Sequence, residues 1–173
     1  MKIHSESNSQ LTGIIREQTE ILLKNLDDQI AAADLNVPID GLPNWRYLFH
    51  TIHSLDKNFI NPDNFTEPAV SVCGIEPDLA VIDENRPGYR QAAEVTVKRE
   101  QLAAYASYVR QKIESYLSTL DDTMLAEKPD GCRFSRLTLI IGQSRHSMWH
   151  LGLSSGLTVQ TGKQWPVYTG LFR

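Results

Sequence analysis

Apolar residues recur every three or four positions in four separate stretches of this chain, a rhythm that points to helices packed side by side. In the first stretch, from about Ser9 to Asp34, Leu11, Ile15, Leu22, Leu26, Ile30 and Ala33 make one stripe. Ser7, Asn8 or Ser9 can cap its start, and Pro38 and Gly41 punctuate its end. The second, from about Pro43 to Phe59, carries Trp45, Leu48, Ile52, Leu55 and Phe59; Pro43 suits a first turn and Asn61-Pro62 closes it. The third starts at Thr96 as cap and aligns Leu102, Tyr105, Val109, Ile113, Leu117 and Leu120, with Asp121-Asp122 beginning the next turn. The fourth, from about Phe134 to Leu157, is apolar on two sides. Leu137, Ile141, Met148 and Leu151 form one stripe there; Leu139, Gly142, His146, His150, Leu153 and Leu157 form another, nearly opposite. A helix apolar all round needs partners on both sides, so one stripe is expected to face the bundle and the other a pocket, a long loop or a second subunit.

No strand pattern competes with these four. The expected fold is therefore all-α: one four-helix bundle domain over residues 1–173, with a long crossover connection between helices two and three. Residues 60–95, rich in Pro, Gly and Asn, form that connection, and a loop so long in a small domain is usually functional. The tail after Leu157 is expected to pack back on the bundle, because Trp165 would otherwise be exposed.

Composition narrows the function classes. At 41% hydrophobic and 22% charged residues the 173-residue chain matches an ordinary soluble protein. A net charge of -4 and the lack of a Lys/Arg stripe argue against nucleic acid as partner. No apolar run is long enough for a membrane helix and no apolar block follows Met1, so a cytoplasmic location is expected. Cys73 and Cys132 make no disulfide framework and read as small apolar side chains or free thiols. His4 falls in a terminus that needs no role.

Chemistry concentrates in Arg145-His146-Ser147-Met148-Trp149-His150. His146 and His150 are four apart in a helical stretch, so both imidazoles leave one face, as two ligands of one divalent ion must. The bland alternative is a pair of core histidines bonded to backbone or water. A third ligand from helix two would complete a three-histidine site with a position left open for water or substrate. On a helical wheel His50 lies opposite the stripe through Leu48 and Ile52, sharing a side with Tyr47 and Ser54, whereas His53 lies nearer the stripe. Wheel geometry alone ranks His53 slightly ahead of His50.

Asn44-Trp45-Arg46-Tyr47-Leu48-Phe49-His50-Thr51-Ile52-His53-Ser54-Leu55-Asp56 resembles helix two of the DinB-like (DinB/YfiT-like) metalloenzyme superfamily, in which an aromatic-rich turn precedes a ligand histidine often followed by threonine. Arg145-His146-Ser147-Met148-Trp149-His150-Leu151-Gly152 is similar to that superfamily's fourth helix, and Tyr105 to an aromatic common in its third. The resemblance extends from helix one to Trp165, although its specific part is the two histidine turns and the crossover between them. It implies His50, His146 and His150 as ligands of a divalent ion such as zinc, nickel or iron. It also implies a metal-dependent enzyme acting on a small molecule, either a transferase using a low-molecular-weight thiol or a hydrolase, with the reaction and catalytic residues unassigned. The alternative is a non-catalytic metal-binding or stress-related interaction protein on the same bundle.

Three further expectations concern neighbours of the site. His53 is a group bonded to a ligand, a pocket residue that handles protons, or a surface histidine. Asp56, one turn on, is able to bond His53 but reads first as an exposed aspartate. Tyr105 and Tyr108 either border the pocket or pack in the core, the latter favoured. The second stripe of helix four and the apolar surface near Trp165 suggest a homodimer.

Overall fold

Four helices account for nearly all regular structure in the computed structural model, which describes residues 10–39, 42–71, 79 and 96–170. They are α1 (Gln10–Ala32), α2 (Asn44–Asn58), α3 (Arg99–Ser118) and α4 (Arg136–Gln160). α1 packs mainly on α3 and α4, and α2 on α3 and α4. This is the expected all-α bundle with its long connection between α2 and α3. Between α1 and α2 the periodicity missed a small element. Pro38–Ile39 (β1) and Leu42–Pro43 (β2) pair antiparallel, two residues each. So short a ladder has no period to read.

The expected stripes of the first three helices form most of the core, although Leu11 at the start of α1 is 42% exposed. Leu22, Leu26 and Ile30 of α1, Leu48, Ile52 and Leu55 of α2, Leu102, Val109 and Ile113 of α3, and Ile140 and Leu151 of α4 are all nearly fully buried. Truncating any of the large aliphatics there to alanine would cost about 2–5 kcal/mol. α2 is the most enclosed element: twelve of its fifteen residues are buried. Almost every direction around this helix is therefore interior, including the side opposite its apolar stripe.

Helix ends are closed by distant side chains. Ser7, Asn8 and Ser9, the expected caps of α1, lie outside the described residues. Asp122, just beyond the end of α3, accepts from the Leu11 and Thr12 amides at 3.0 and 2.7 Å. The hydrogen bond from the Thr12 hydroxyl, helped by these amides, outweighs desolvation and holds the carboxyl below the usual carboxylate range. Arg16 donates to the Leu117 and Leu120 carbonyls at the end of α3, and Arg99 to the Ala31 and Ala33 carbonyls at the end of α1. Such contacts satisfy carbonyls that have no partner within their own helix. α3 begins at Arg99, three residues after the expected cap Thr96.

α4 departs most from the wheel. Its buried residues are Leu139, Ile140, Ser147, His150, Leu151, Ser154 and Thr158, three of them hydroxyl-bearing. Gln29 of α1 donates to Ser154 Oγ at 2.7 Å and Thr158 Oγ1 at 3.3 Å, and Ser155 Oγ donates to Gln29 Oε1 at 2.9 Å. These bonds fix the axial register of α4 against α1. Of the two expected stripes, Leu151, Leu139 and His150 are buried, whereas Ile141, Met148 and Leu153 face outward with Trp149, which is 69% exposed. The helix ends at Gly162, whose φ of +78° lets its own amide and that of Lys163 turn back to the Val159 and Thr158 carbonyls.

The tail does return to the bundle, but not through its aromatic. Asn25 of α1 exchanges two hydrogen bonds with the Thr169 backbone, and Lys163 pairs with Asp34. Trp165 stays 70% exposed. Polar backbone contacts, rather than burial of the indole, hold this segment. Among the described residues no helix is long and apolar enough to cross a membrane.

Candidate metal centre

α2 and α4 make the most extensive helix contact in the bundle, and three histidines meet across it. His146 and His150 are one turn apart on α4, as their spacing required, and His50 approaches them from α2. His146 Nε2 lies 3.1 Å from His50 Nε2 and 2.9 Å from His150 Nε2. The candidate ligand atoms of all three residues lie within 4.8 Å of one another. Their rings stand nearly perpendicular in pairs, at 79–88° with centroids 4.6–5.0 Å apart.

This arrangement is compatible with a bound divalent ion. Nitrogens about 2.0–2.1 Å from a tetrahedral ion are separated from each other by roughly 3.3–3.4 Å, within a few tenths of the spacings here. A neutral imidazole carries one N–H and one lone pair, and each ring that turns its lone pair into the cluster offers a cation one ligand atom. Burial, then the nearby His50, lowers the His146 pKa. Burial, then His50 and His146, brings His150 down to about 4. Both therefore stay neutral at pH 7, the form that ligates a metal. Among the described residues this is the one cluster of three or more His, Cys, Asp or Glu with such geometry.

His53 is not part of that cluster, so the wheel ranking that put it ahead of His50 was wrong. The wheel treated the side opposite the stripe as solvent, whereas on a helix enclosed by neighbours that side meets α4. Tyr47 and Ser54, which share it, reach α4 too: the Tyr47 ring lies 6.1 Å from that of His150, and Ser54 Oγ lies 3.0 Å from His146 Nδ1. His53 points to the start of the α2–α3 connection. Its Nε2 is 2.9 Å from Glu67 Oε2, and its ring packs between Phe49 and Phe65. It is thus buried rather than a surface histidine.

Asp56 is likewise buried, against the expectation of an exposed aspartate. Its carboxylate accepts from Tyr105 Oη at 2.9 Å and from Lys112 Nζ at 2.5 Å, while His53 takes Glu67 instead. Tyr105 is fully buried in the core; desolvation first, then Asp56, raises its pKa. Tyr108 lies on the exposed side of α3. Glu67 and Lys112 escaped the sequence reading. The available signal for Lys112 was its spacing of seven from Tyr105, two turns along one face. Of the two cysteines Cys132 is buried, as a small apolar side chain would be, and Cys73 lies outside the described residues, as do His4 and most of the 60–95 connection. Comparison of the chain with protein-family models, with curated proteins and with solved structures found no match.

Proposed function

We propose that this chain is a divalent-metal-dependent enzyme of the DinB-like superfamily, with His50, His146 and His150 as ligands of zinc, nickel or iron. The convergence of three ring nitrogens from α2 and α4 carries this reading. The two histidine turns quoted above support the family assignment. Three protein ligands leave coordination positions open, which suits chemistry more than a purely structural role. Both His50 and His146 keep partial exposure, so a small molecule has a way in. An ion bound there supplies Lewis acidity, polarising a carbonyl or lowering the pKa of a water or a small thiol. The reaction class we favour is transfer to or from a low-molecular-weight thiol, or hydrolysis.

Elemental analysis of untagged protein, wild type beside His150→Ala, tests the site. About one ion per chain, lost in the variant, supports it. No ion in either, after reconstitution with zinc, nickel or iron, removes it. Tight metal without turnover of thiol adducts or esters would favour a non-catalytic metal-binding protein. We propose further that the chain is a homodimer. The outward Ile141, Met148, Trp149 and Leu153 of α4 support this, because so apolar a helix face usually meets a partner.

A further inference from the structure

Ser54 stands on α2 one turn after His50, and Gln143 on α4 one turn before His146. Helical spacing therefore brings both to the back of the histidine cluster. Ser54 is buried, and three polar atoms surround its hydroxyl: Gln143 Oε1 at 3.0 Å, Asn58 Nδ2 at 3.3 Å and His146 Nδ1 at 3.0 Å. Asn58 Nδ2 also donates to the Ser54 carbonyl at 3.1 Å, which anchors that amide.

With Gln143 presenting Oε1 to Ser54, one arrangement of protons makes all three contacts hydrogen bonds. A serine hydroxyl holds one hydrogen and two acceptor lone pairs. Gln143 Oε1 only accepts, so the hydroxyl hydrogen goes to it. Asn58 Nδ2 only donates, so it takes one lone pair. What remains for His146 Nδ1 is the second lone pair, and His146 must donate to it. A neutral imidazole has a single N–H; once that proton is on Nδ1, Nε2 is bare. Nε2 is the atom that faces His50 and His150.

We infer that Ser54, aligned by Gln143, is a positioning residue that fixes His146 in the Nδ1–H tautomer and points its Nε2 lone pair into the cluster. The inference deepens the metal-site reading and rests on it for its purpose, but the tautomer is a property of the protein alone. Partners behind a ligand histidine are worth about 10- to 100-fold in metal affinity. The chain builds this partner from an uncharged hydroxyl, whose direction a neighbouring amide dictates.

The experiment is nitrogen-detected NMR of histidine-labelled, metal-free full-length protein, followed by zinc titration against a competing chelator. The wild type should show His146 as Nδ1–H. Ser54→Ala should lose that preference and bind zinc about 10- to 100-fold more weakly, while keeping its helical circular dichroism. Ser54→Thr, which retains the hydroxyl, and Gln143→Glu, which retains the acceptor, should stay near wild type. A His146 protonated on Nε2 in the wild type would overturn the inference, because it would mean the Gln143 amide faces the other way. So would a Ser54→Ala affinity within twofold of wild type. A wild type that binds no zinc would sink the metal-site reading, and the NMR result would still decide the tautomer.

Discussion

Substitution of Asp56 should be among the most damaging single changes outside the apolar core. Its carboxylate is fully buried and takes hydrogen bonds from Tyr105, itself fully buried, and from Lys112, whose side chain is 31% exposed. In Asp56→Ala the tyrosine hydroxyl is left without an acceptor, at a cost of roughly 1–3 kcal/mol. The lost side-chain volume adds roughly 1 kcal/mol. Lys112 contributes little, since it keeps the Asp56 carbonyl at 3.0 Å and reaches water. The expected total is about 2–4 kcal/mol, which for a chain of this size lowers Tm by roughly 10 °C. Tyr105→Phe alone should cost less, about 1–2 kcal/mol, because Asp56 keeps its lysine. The pair must be non-additive: with the hydroxyl already gone, removing the carboxylate orphans nothing. Urea unfolding of metal-free protein, followed by helical circular dichroism, measures all three variants. A loss below about 0.5 kcal/mol for Asp56→Ala, or strict additivity in the double variant, would refute the buried-network argument.

Acid sensitivity offers a second check. His150 titrates at about 4 when folded and near 6.5 when unfolded, so between those values the unfolded chain binds the extra proton. Stability of the metal-free protein should therefore be complete above pH 6.5 and fall as pH drops toward 4, with His146 acting in the same direction. His150→Leu should flatten urea midpoints over that window; an unchanged slope would contradict the burial of a neutral imidazole. Gln29→Leu should cost about 1–3 kcal/mol, since Ser154 and Ser155 lose their partner, and yet retain metal stoichiometry; equal stability by thermal melting would mean the α1–α4 polar contact is not holding register. Trp149→Glu should turn the proposed dimer into a monomer by light scattering without disturbing the metal, and a wild-type monomer at high concentration would remove the dimer.

Much of this architecture was legible because apolar spacing reports helices directly. Trp45, Leu48, Ile52, Leu55 and Phe59 were read as one buried stripe, and all are at most 2% exposed. The same spacing placed His146 and His150 on one face. What periodicity cannot report is how many sides of a helix are covered. On α2 that hid the inward direction of His50 and the burial of Asp56. On α4 it misassigned the inner face, because Ser147, Ser154 and Thr158 carry no hydrophobic signal and are buried through their small size and a glutamine from α1. Pairings such as His53–Glu67 and Asp56–Lys112 join residues on different elements, and no local pattern encodes them.

The chain positions of the three histidines carry one more consequence. His146 and His150 are close in sequence in any state of the polypeptide, but His50 and His146 are 96 residues apart. An ion held by all three would close a loop spanning more than half of the chain, as a covalent cross-link does. In the chain-entropy picture, closing a loop of about 100 residues is worth up to ~4.7 kcal/mol relative to an unconstrained denatured chain. Nearly all of that rests on His50. A chain lacking His50 but retaining the α4 pair would still offer an ion two neighbouring nitrogens, and the denatured chain would offer the same two. Only the ligand from α2 distinguishes the folded topology from a local clip, so it is the residue through which metal supply would govern how long the bundle stays folded.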